Sequence, residues 1–377
     1  MTPPPAGSHA AHAYLDHAAT TPVRPEVLAA MAEAMAEAGN ASSVHGPGRL
    51  ARSRLEAARR AVAERVAVAA DRVVFTSGGT EANHLALLGL IGPRLVSAIE
   101  HASVLEAVPE ATRVPVDAAG RLDLAALAGL LRGHRPAVVS VMLANNETGV
   151  IQPVAEAARL AHAHGSLLHC DAVQAFTKLP FTLAGLGADL LTVSAHKIGG
   201  PPGIGALVLR DGLEVVPLQR GGGQELRRRA GTENLPGIVG FSRALGLATD
   251  WERVRRLRDR TEAAARALHP AAIVVGGGAD RLPNVVCLLT PGLSAEVQLM
   301  ALDLAGVAVS SGAACSSGKV GPSHVLAAMG FTPELARCTI RVSLGWSSTA
   351  ADVKRFADAW GTLLARRSGR AASPVPA

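Results

Sequence analysis

Lysine is almost missing from this basic chain. Of the 37 Lys and Arg side chains in its 377 residues, only Lys178, Lys197, Lys319 and Lys354 are lysines. Arginine keeps its charge at any ordinary pH and is a poor nucleophile, whereas a lysine amine can lose its proton and condense with an aldehyde. A lysine kept against that bias is a candidate for amine chemistry. Cysteine is scarce too. Cys170, Cys287, Cys315 and Cys338 lie far apart, which argues against a disulfide framework and against a structural zinc site, so any cysteine that matters here acts as a thiol. Aromatic residues make up only 3% of the chain. Without aromatics between them, the arginine clusters at 227–229, at 253–260 and around Arg366, Arg367 and Arg370 read as solvated helix faces, and no direct nucleic-acid partner is expected from the net charge of +6. No run of about eighteen uncharged apolar residues occurs, and the opening Met1-Thr2-Pro3-Pro4-Pro5 lacks the basic-then-apolar layout of a signal peptide. A soluble protein in the cytoplasm, with no membrane partner, is the expectation.

What is present is a large apolar fraction, 49%, arranged as short apolar runs alternating with longer amphipathic stretches. Strands are expected at 72–76, 94–99, 136–143, 166–169, 188–194 and 204–209, with helices at 51–67, 81–90, 154–164 (stopped by Gly165) and 234–257. Such alternation specifies an α/β fold with a mostly parallel sheet sandwiched by helices. After about residue 260 the pattern changes to an α+β one, with strands expected at 284–289, 306–310 and 338–343. The expected organisation is a large domain over 16–258, a smaller α+β domain from 1–15 and 259–368, and a disordered tail at 369–377.

Polar residues cluster at the strand ends, where open parallel sheets bind ligands. The run ending at Phe75 leads into Thr76-Ser77-Gly78-Gly79-Thr80-Glu81, an anion site at the start of a helix. Other runs end at Glu100-His101, at Asn145-Asn146-Glu147, at His169-Cys170-Asp171 followed by Gln174, and at Ser194-Ala195-His196-Lys197. Each has a plain structural reading: a turn, a helix cap, a core histidine. Five at one rim ask for a common ligand. It would carry a phosphate for Gly79 and Thr80, an aldehyde for Lys197, a flat ring for His101 to cover and a ring nitrogen for Asp171 to keep protonated. Pyridoxal 5′-phosphate has all four, and Asn146 and Gln174 would bond its ring hydroxyl.

The motifs Tyr14-Leu15-Asp16-His17-Ala18-Ala19-Thr20-Thr21-Pro22, Thr76 to Glu81, Asn145-Asn146-Glu147-Thr148-Gly149, Ser194 to Lys197 and Ser310-Ser311-Gly312-Ala313-Ala314-Cys315-Ser316-Ser317-Gly318 resemble those of the cysteine desulfurases. These are class V, fold type I pyridoxal-phosphate enzymes, and the Ser-Ser-Gly-x-Ala-Cys run resembles their NifS-like branch. The resemblance implies a homodimer in which Lys197 is the Schiff-base lysine, Asp171 the pyridinium partner and His101 the stacking residue that also moves protons. Gly79, Thr80, Ser194 and His196 are the implied phosphate ligands. Thr232 is implied to be a phosphate ligand offered to the neighbouring subunit. Asn146 and Arg341 are the implied substrate-binding residues, with Arg341 holding the substrate carboxylate. Cys315, on a mobile loop, would take sulfur from L-cysteine as a persulfide, release alanine, and pass the sulfur to an acceptor such as an iron-sulfur scaffold or a thiolation enzyme. Gly79 departs from the family pattern, which commonly has alanine there, and the C-terminal extension is short, which leaves the acceptor open. Cys170 and Cys287 read as structural, and no metal site is expected. Two other readings stay open: another class V enzyme (an aminotransferase, selenocysteine lyase or epimerase), or a non-catalytic protein that keeps the fold for binding.

Overall fold

The computed structural model describes residues 12–37, 39–133, 136–312, 323–367 and 369. Two compact units emerge, Thr20–Asn146 with Val150–Thr249, and Met1–Ala19 with Glu147–Gly149 and Asp250–Ala377.

The first unit is built on a seven-stranded sheet in the order Val73–Thr76, Gly205–Leu209, Leu190–Ser194, Leu167–Asp171, Val138–Ser140, Arg94–Ser97, Thr112–Val114. Gly205–Leu209 runs antiparallel to both its neighbours, and the remaining pairs are parallel. Leu190–Ser194 and Gly205–Leu209 are buried along their whole length. That is why the sequence shows continuous apolar runs here rather than alternation. The helix Val154–Ala163 buries Val154, Ala157, Ala158 and Ala161, the i, i+3, i+4, i+7 stripe of a helix lying on a sheet. Gly165, with φ +68, ends it as expected.

Direction decides where the chemistry can gather. Two successive antiparallel pairings leave Val73–Thr76 pointing the same way as the parallel strands. Thr76, Ser97, Ser140, Asp171 and Ser194 therefore end at one rim.

Several expected boundaries move, each for a local reason. The helix expected at 51–67 begins at Gly46, because His45 Nδ1 accepts the Gly48 N–H at 3.2 Å and Pro47 occupies the first turn, where proline lacks no needed donor. The helix expected at 234–257 is two helices, Leu235–Leu245 and Trp251–Leu268. Asp250 starts the second by accepting the Arg253 N–H at 2.8 Å. The strand expected at 306–310 is split into Val307–Ala308 and Ser310–Ser311, which join different sheets. The edge strand Thr112–Val114 has no counterpart among the sequence expectations.

The second unit holds an antiparallel sheet in the order Ser310–Ser311, Thr339–Ser343, Val285–Leu289, Ile273–Val274, and a parallel pair of Ala13–Tyr14 with Val307–Ala308. Its core packs Val286, Leu288, Ile340 and Val342 with Phe356 and Trp360 of the helix Ala350–Arg367. The buried Trp360 indole donates to Gln298 Oε1 at 2.9 Å, so its polar edge is satisfied. The 253–260 cluster is more than a solvated face: Arg253 donates to the Trp346 carbonyl at 2.9 Å and Arg258 to the Leu282 carbonyl at 2.9 Å. Arg255 and Arg256 are exposed and pair with Glu252. Cys315 and its loop neighbours at 313–322 lie outside the described residues, as does the expected tail apart from Gly369. No helix among the described residues is long and apolar enough to cross a membrane.

Candidate active site

The rim of the seven-stranded sheet is organised around Asp171, the last residue of the strand Leu167–Asp171 and 6% exposed. Its Oδ1 accepts the Val173 N–H at 3.0 Å and its Oδ2 accepts the Asn83 amide at 2.8 Å. Asn83 also donates to the Ser103 hydroxyl at 2.8 Å. The Ser103 N–H in turn donates to His101 Nδ1 at 3.1 Å. A chain of bonds thus runs from Asp171 through Asn83 and Ser103 to His101. His101 is half-buried and caps the short helix Ala102–Leu105 with that same Nδ1, which fixes its ring.

A second group of side chains brings nitrogen bases to the rim. Lys197 closes the 3-10 turn Ala195–Lys197 at the end of the strand Leu190–Ser194. The turn is fastened by Thr21, whose N–H donates to the His196 carbonyl at 2.9 Å, and by His196 Nδ1 lying 3.2 Å from the Thr20 hydroxyl. Burial lowers the His196 imidazole to about 4, with the charges of Lys197, Lys178 and His101 acting the same way. His196 is therefore neutral at pH 7. Lys178, a 7% exposed amine, donates to the Gln174 carbonyl at 2.6 Å. Burial first, and the charge of Lys197 second, bring it down to about 7. Sequence reasoning noted Lys178 only as a rare lysine. The signal that would have found it is its place four residues after Gln174, in the turn that follows Asp171.

The third part is the start of the helix Gly79–Leu88, capped by Gly78 at φ +152. A Cβ on Gly79 would come within 3.0 Å of Val173 Cγ2 and 3.8 Å of Ser194 Cβ, so the backbone there approaches the neighbouring strand ends closely. Across the sheet, a Cβ on Gly205 would fall 2.7 Å from the Gly78 carbonyl carbon. Thr80 and Thr232 are exposed, Ser194 and Gln174 are buried, and Asn146 is half-buried beyond Val138–Ser140. The structure thus brings Gly79, His101, Asp171, Gln174, Ser194, His196 and Lys197 to one rim. Arg341 belongs to the other unit, and Cys315 lies outside the described residues.

Beneath the rim, Glu100 accepts the Met142 N–H at 2.6 Å. Burial, then the Asp171 charge, raises its carboxyl from 4.5 to about 8. Folded Glu100 therefore holds a proton that the unfolded chain gives up between about pH 4.5 and 8. Stability falls as pH rises through that window and stops falling above it. Glu100→Gln, which keeps the acceptor oxygen but cannot ionise, is expected to flatten the melting temperature against pH over this range. A curve as steep as that of the unaltered protein would refute the assignment. The same proton spares Asp171 a negative neighbour.

In the second unit, Arg341 is 2% exposed in the strand Thr339–Ser343 and donates from Nη2 to Asp16 Oδ1 at 2.9 Å. Glu147 accepts the Ser323 hydroxyl at 2.5 Å. Burial raises Glu147 to about 7 against the pull of Ser323 and Arg341. Cys170 and Cys287 are fully buried, and burial drives both thiols upward, so neither supplies a thiolate.

Residues 13–356 match the family model described as aminotransferase class-V. A cysteine desulfurase of Cereibacter sphaeroides is 47% identical over 361 residues, covering 91% of this chain and 93% of that one. The chain belongs to the class-V aminotransferase family, among its cysteine desulfurases. The solved NifS-like protein of Rickettsia africae has a TM-score of 0.87 at 32% identity, with 94% of this chain and 99% of that chain covered. A structure of SspA in complex with cysteine has a TM-score of 0.78 at 30% identity, covering 89% and 99%. Class-V aminotransferases of this branch depend on pyridoxal phosphate, and the parallel sheet flanked by helices is their fold.

Proposed function

We propose that this chain is a cysteine desulfurase that uses pyridoxal phosphate, held at the rim of the seven-stranded sheet. The observation that carries the reading is the linked set of Asp171, Asn83, Ser103 and His101 beside a Lys197 turn and a glycine helix start. These residues fit the cofactor. Asp171 is a carboxylate in a dry pocket that can hold a ring nitrogen protonated, and His101 is fixed for stacking. The Gly79 helix start, Ser194 and His196 supply the dipole and donors that suit a phosphate. The cofactor, when bound, supplies an aldehyde for amines and an electron-poor ring that weakens the bonds at a substrate α-carbon.

Lys197 holds the cofactor and moves the proton at the substrate α-carbon. Arg341 is suited to a substrate carboxylate by its paired donors, and Asn146 and Gln174 bond the ring hydroxyl. Cys315 as thiolate attacks the sulfur of L-cysteine. The carbon–sulfur bond breaks, the carbon takes a proton, and alanine leaves while Cys315 keeps the sulfur as a persulfide. Cysteine and one thiol thus give alanine and one persulfide. The acceptor is a protein of iron-sulfur assembly or thiolation, the enzyme works as a homodimer, and Thr232 serves the neighbouring subunit's phosphate. A cytoplasmic site of action completes the proposal.

Incubation with L-cysteine tests it. Alanine and protein-bound sulfane sulfur are expected in equal amounts during the first turnover. A keto acid in place of alanine would mark a different class V reaction and overturn the reading.

A further inference from the structure

Val73–Thr76 is the outermost strand of the seven-stranded sheet, so among the described residues one of its edges has no neighbouring strand. Backbone groups on such an edge need partners when they are buried. Here the Phe75 N–H donates to Glu225 Oε2 at 2.8 Å, and Arg59 Nη1 donates to the Val73 carbonyl at 2.8 Å. The two side chains clasp each other through bonds of 2.7 and 2.9 Å, with 4% and 1% of their side-chain surface exposed. The Arg59 guanidinium also lies over the Phe75 ring. An ion pair stands where another strand would.

Glu225 reaches this place from an unusual backbone. Glu225, Leu226 and Arg227 have φ values of 45, 55 and 65, a left-handed turn of three side-chain-bearing residues, which costs energy at each one. Leu226 and Arg227 are exposed, so their burial does not repay that cost. The buried Glu225–Arg59 clasp does, and strain of this kind persists where the surroundings over-determine it.

Two residues further on, Arg229 donates to Glu81 Oε1 at 2.9 Å, while Glu81 Oε2 accepts the Ser77 N–H at 2.7 Å. The segment 225–229 therefore governs the N–H groups of Phe75 and Ser77, on either side of Thr76 and immediately before Gly78 and Gly79. It then leads to Thr232, and a cavity of about 80 Å³ lies between Thr232 and Ser77.

We propose that Glu225 is a positioning residue for the anion-binding start of the Gly79–Leu88 helix. Its clasp with Arg59 holds the left-handed turn, and the turn with Arg229 fixes the strand end from which the amides around Gly78 and Gly79 are presented to a phosphate. The proposal rests on the pyridoxal-phosphate reading above.

The test titrates the apoprotein with pyridoxal phosphate and with pyridoxal, which has the same aldehyde and no phosphate. Glu225→Gln is expected to weaken the phosphate ester by about tenfold, the scale of one charge-assisted hydrogen bond, and to leave pyridoxal nearly unchanged. Equal weakening of both ligands would indicate general loosening and overturn the proposal, as would no change in either. Should Glu225→Gln fail to fold, Glu81→Gln, at a side chain 17% exposed, carries the test with the same expected selectivity and the same overturning result. If the unaltered apoprotein takes up neither ligand, the cofactor reading itself fails and the positioning role is not what has been disproved.

Discussion

Lys197→Ala is expected to lower alanine formation from L-cysteine by at least about 10³-fold, within the range for loss of a positioned acid–base group and about 4 kcal/mol in the barrier. It should also remove the yellow colour that borohydride bleaches in the unaltered protein. Both effects are expected together because, in the proposed function, one amine holds the cofactor and moves the substrate proton. Its surroundings leave no ready substitute. Lys178, the other lysine of the rim, donates to the Gln174 carbonyl. Added methylamine should restore part of the rate, since a free amine can enter the space left by the lysine chain. A Lys197→Ala protein that stays yellow and retains a tenth of its activity would rule out the role given to this residue.

The second large effect separates the desulfurases from other enzymes with the same lysine. Cys315→Ser should keep the yellow colour and lose alanine production by roughly the same 10³-fold, because a serine hydroxyl is a poor nucleophile toward sulfur at neutral pH and cannot store a persulfide. The other thiols offer no replacement: Cys170 and Cys287 are fully buried and held protonated, and Cys338 is buried as well. Retained colour is the control that distinguishes loss of the nucleophile from loss of the cofactor. Undiminished sulfide release by Cys315→Ser would sink the assignment.

Why these residues could be named from sequence follows from the sheet. Strands buried on both faces appear as unbroken apolar runs, so their ends are visible, and in a parallel sheet those ends share a rim. Asp171, His101, Ser194 and Lys197 were legible for that reason. Groups whose meaning depends on a distant partner were not. Asn83 looks like any polar residue of a helix until Asp171 and Ser103 are found on its two sides. Arg59 and Glu225 are separated by 166 residues, and Glu225 sits among glycines and arginines with nothing nearby in the sequence to mark its partner. Arg228 and Arg229, taken from the sequence as part of a solvated face, are bonded to Glu214 and Glu81. The break between Leu245 and Trp251 was hidden because the amphipathic pattern continues across it, and only the Asp250 cap reveals a new helix. The Gly46 helix start was hidden by a Gly-Pro-Gly sequence that resembles a turn.

The bonded chain from Asp171 to His101 has a consequence for how this site can be altered. Asp171 and His101, the proposed partners of the cofactor's ring nitrogen and ring face, are mechanically one part, since Asn83 and Ser103 join them through bonds of 2.8, 2.8 and 3.1 Å. Substitutions at the two ends should be strongly non-additive, as for any pair within one network. If Asp171 and His101 hold the cofactor as proposed, a substitution at Asp171 is expected to disturb His101 through the same bonds, and a change at only one end to be costly for both. Variation has to be introduced at Asn83, Ser103 and both ends together, so the unit of change in this pocket is the four-residue chain and not the single residue.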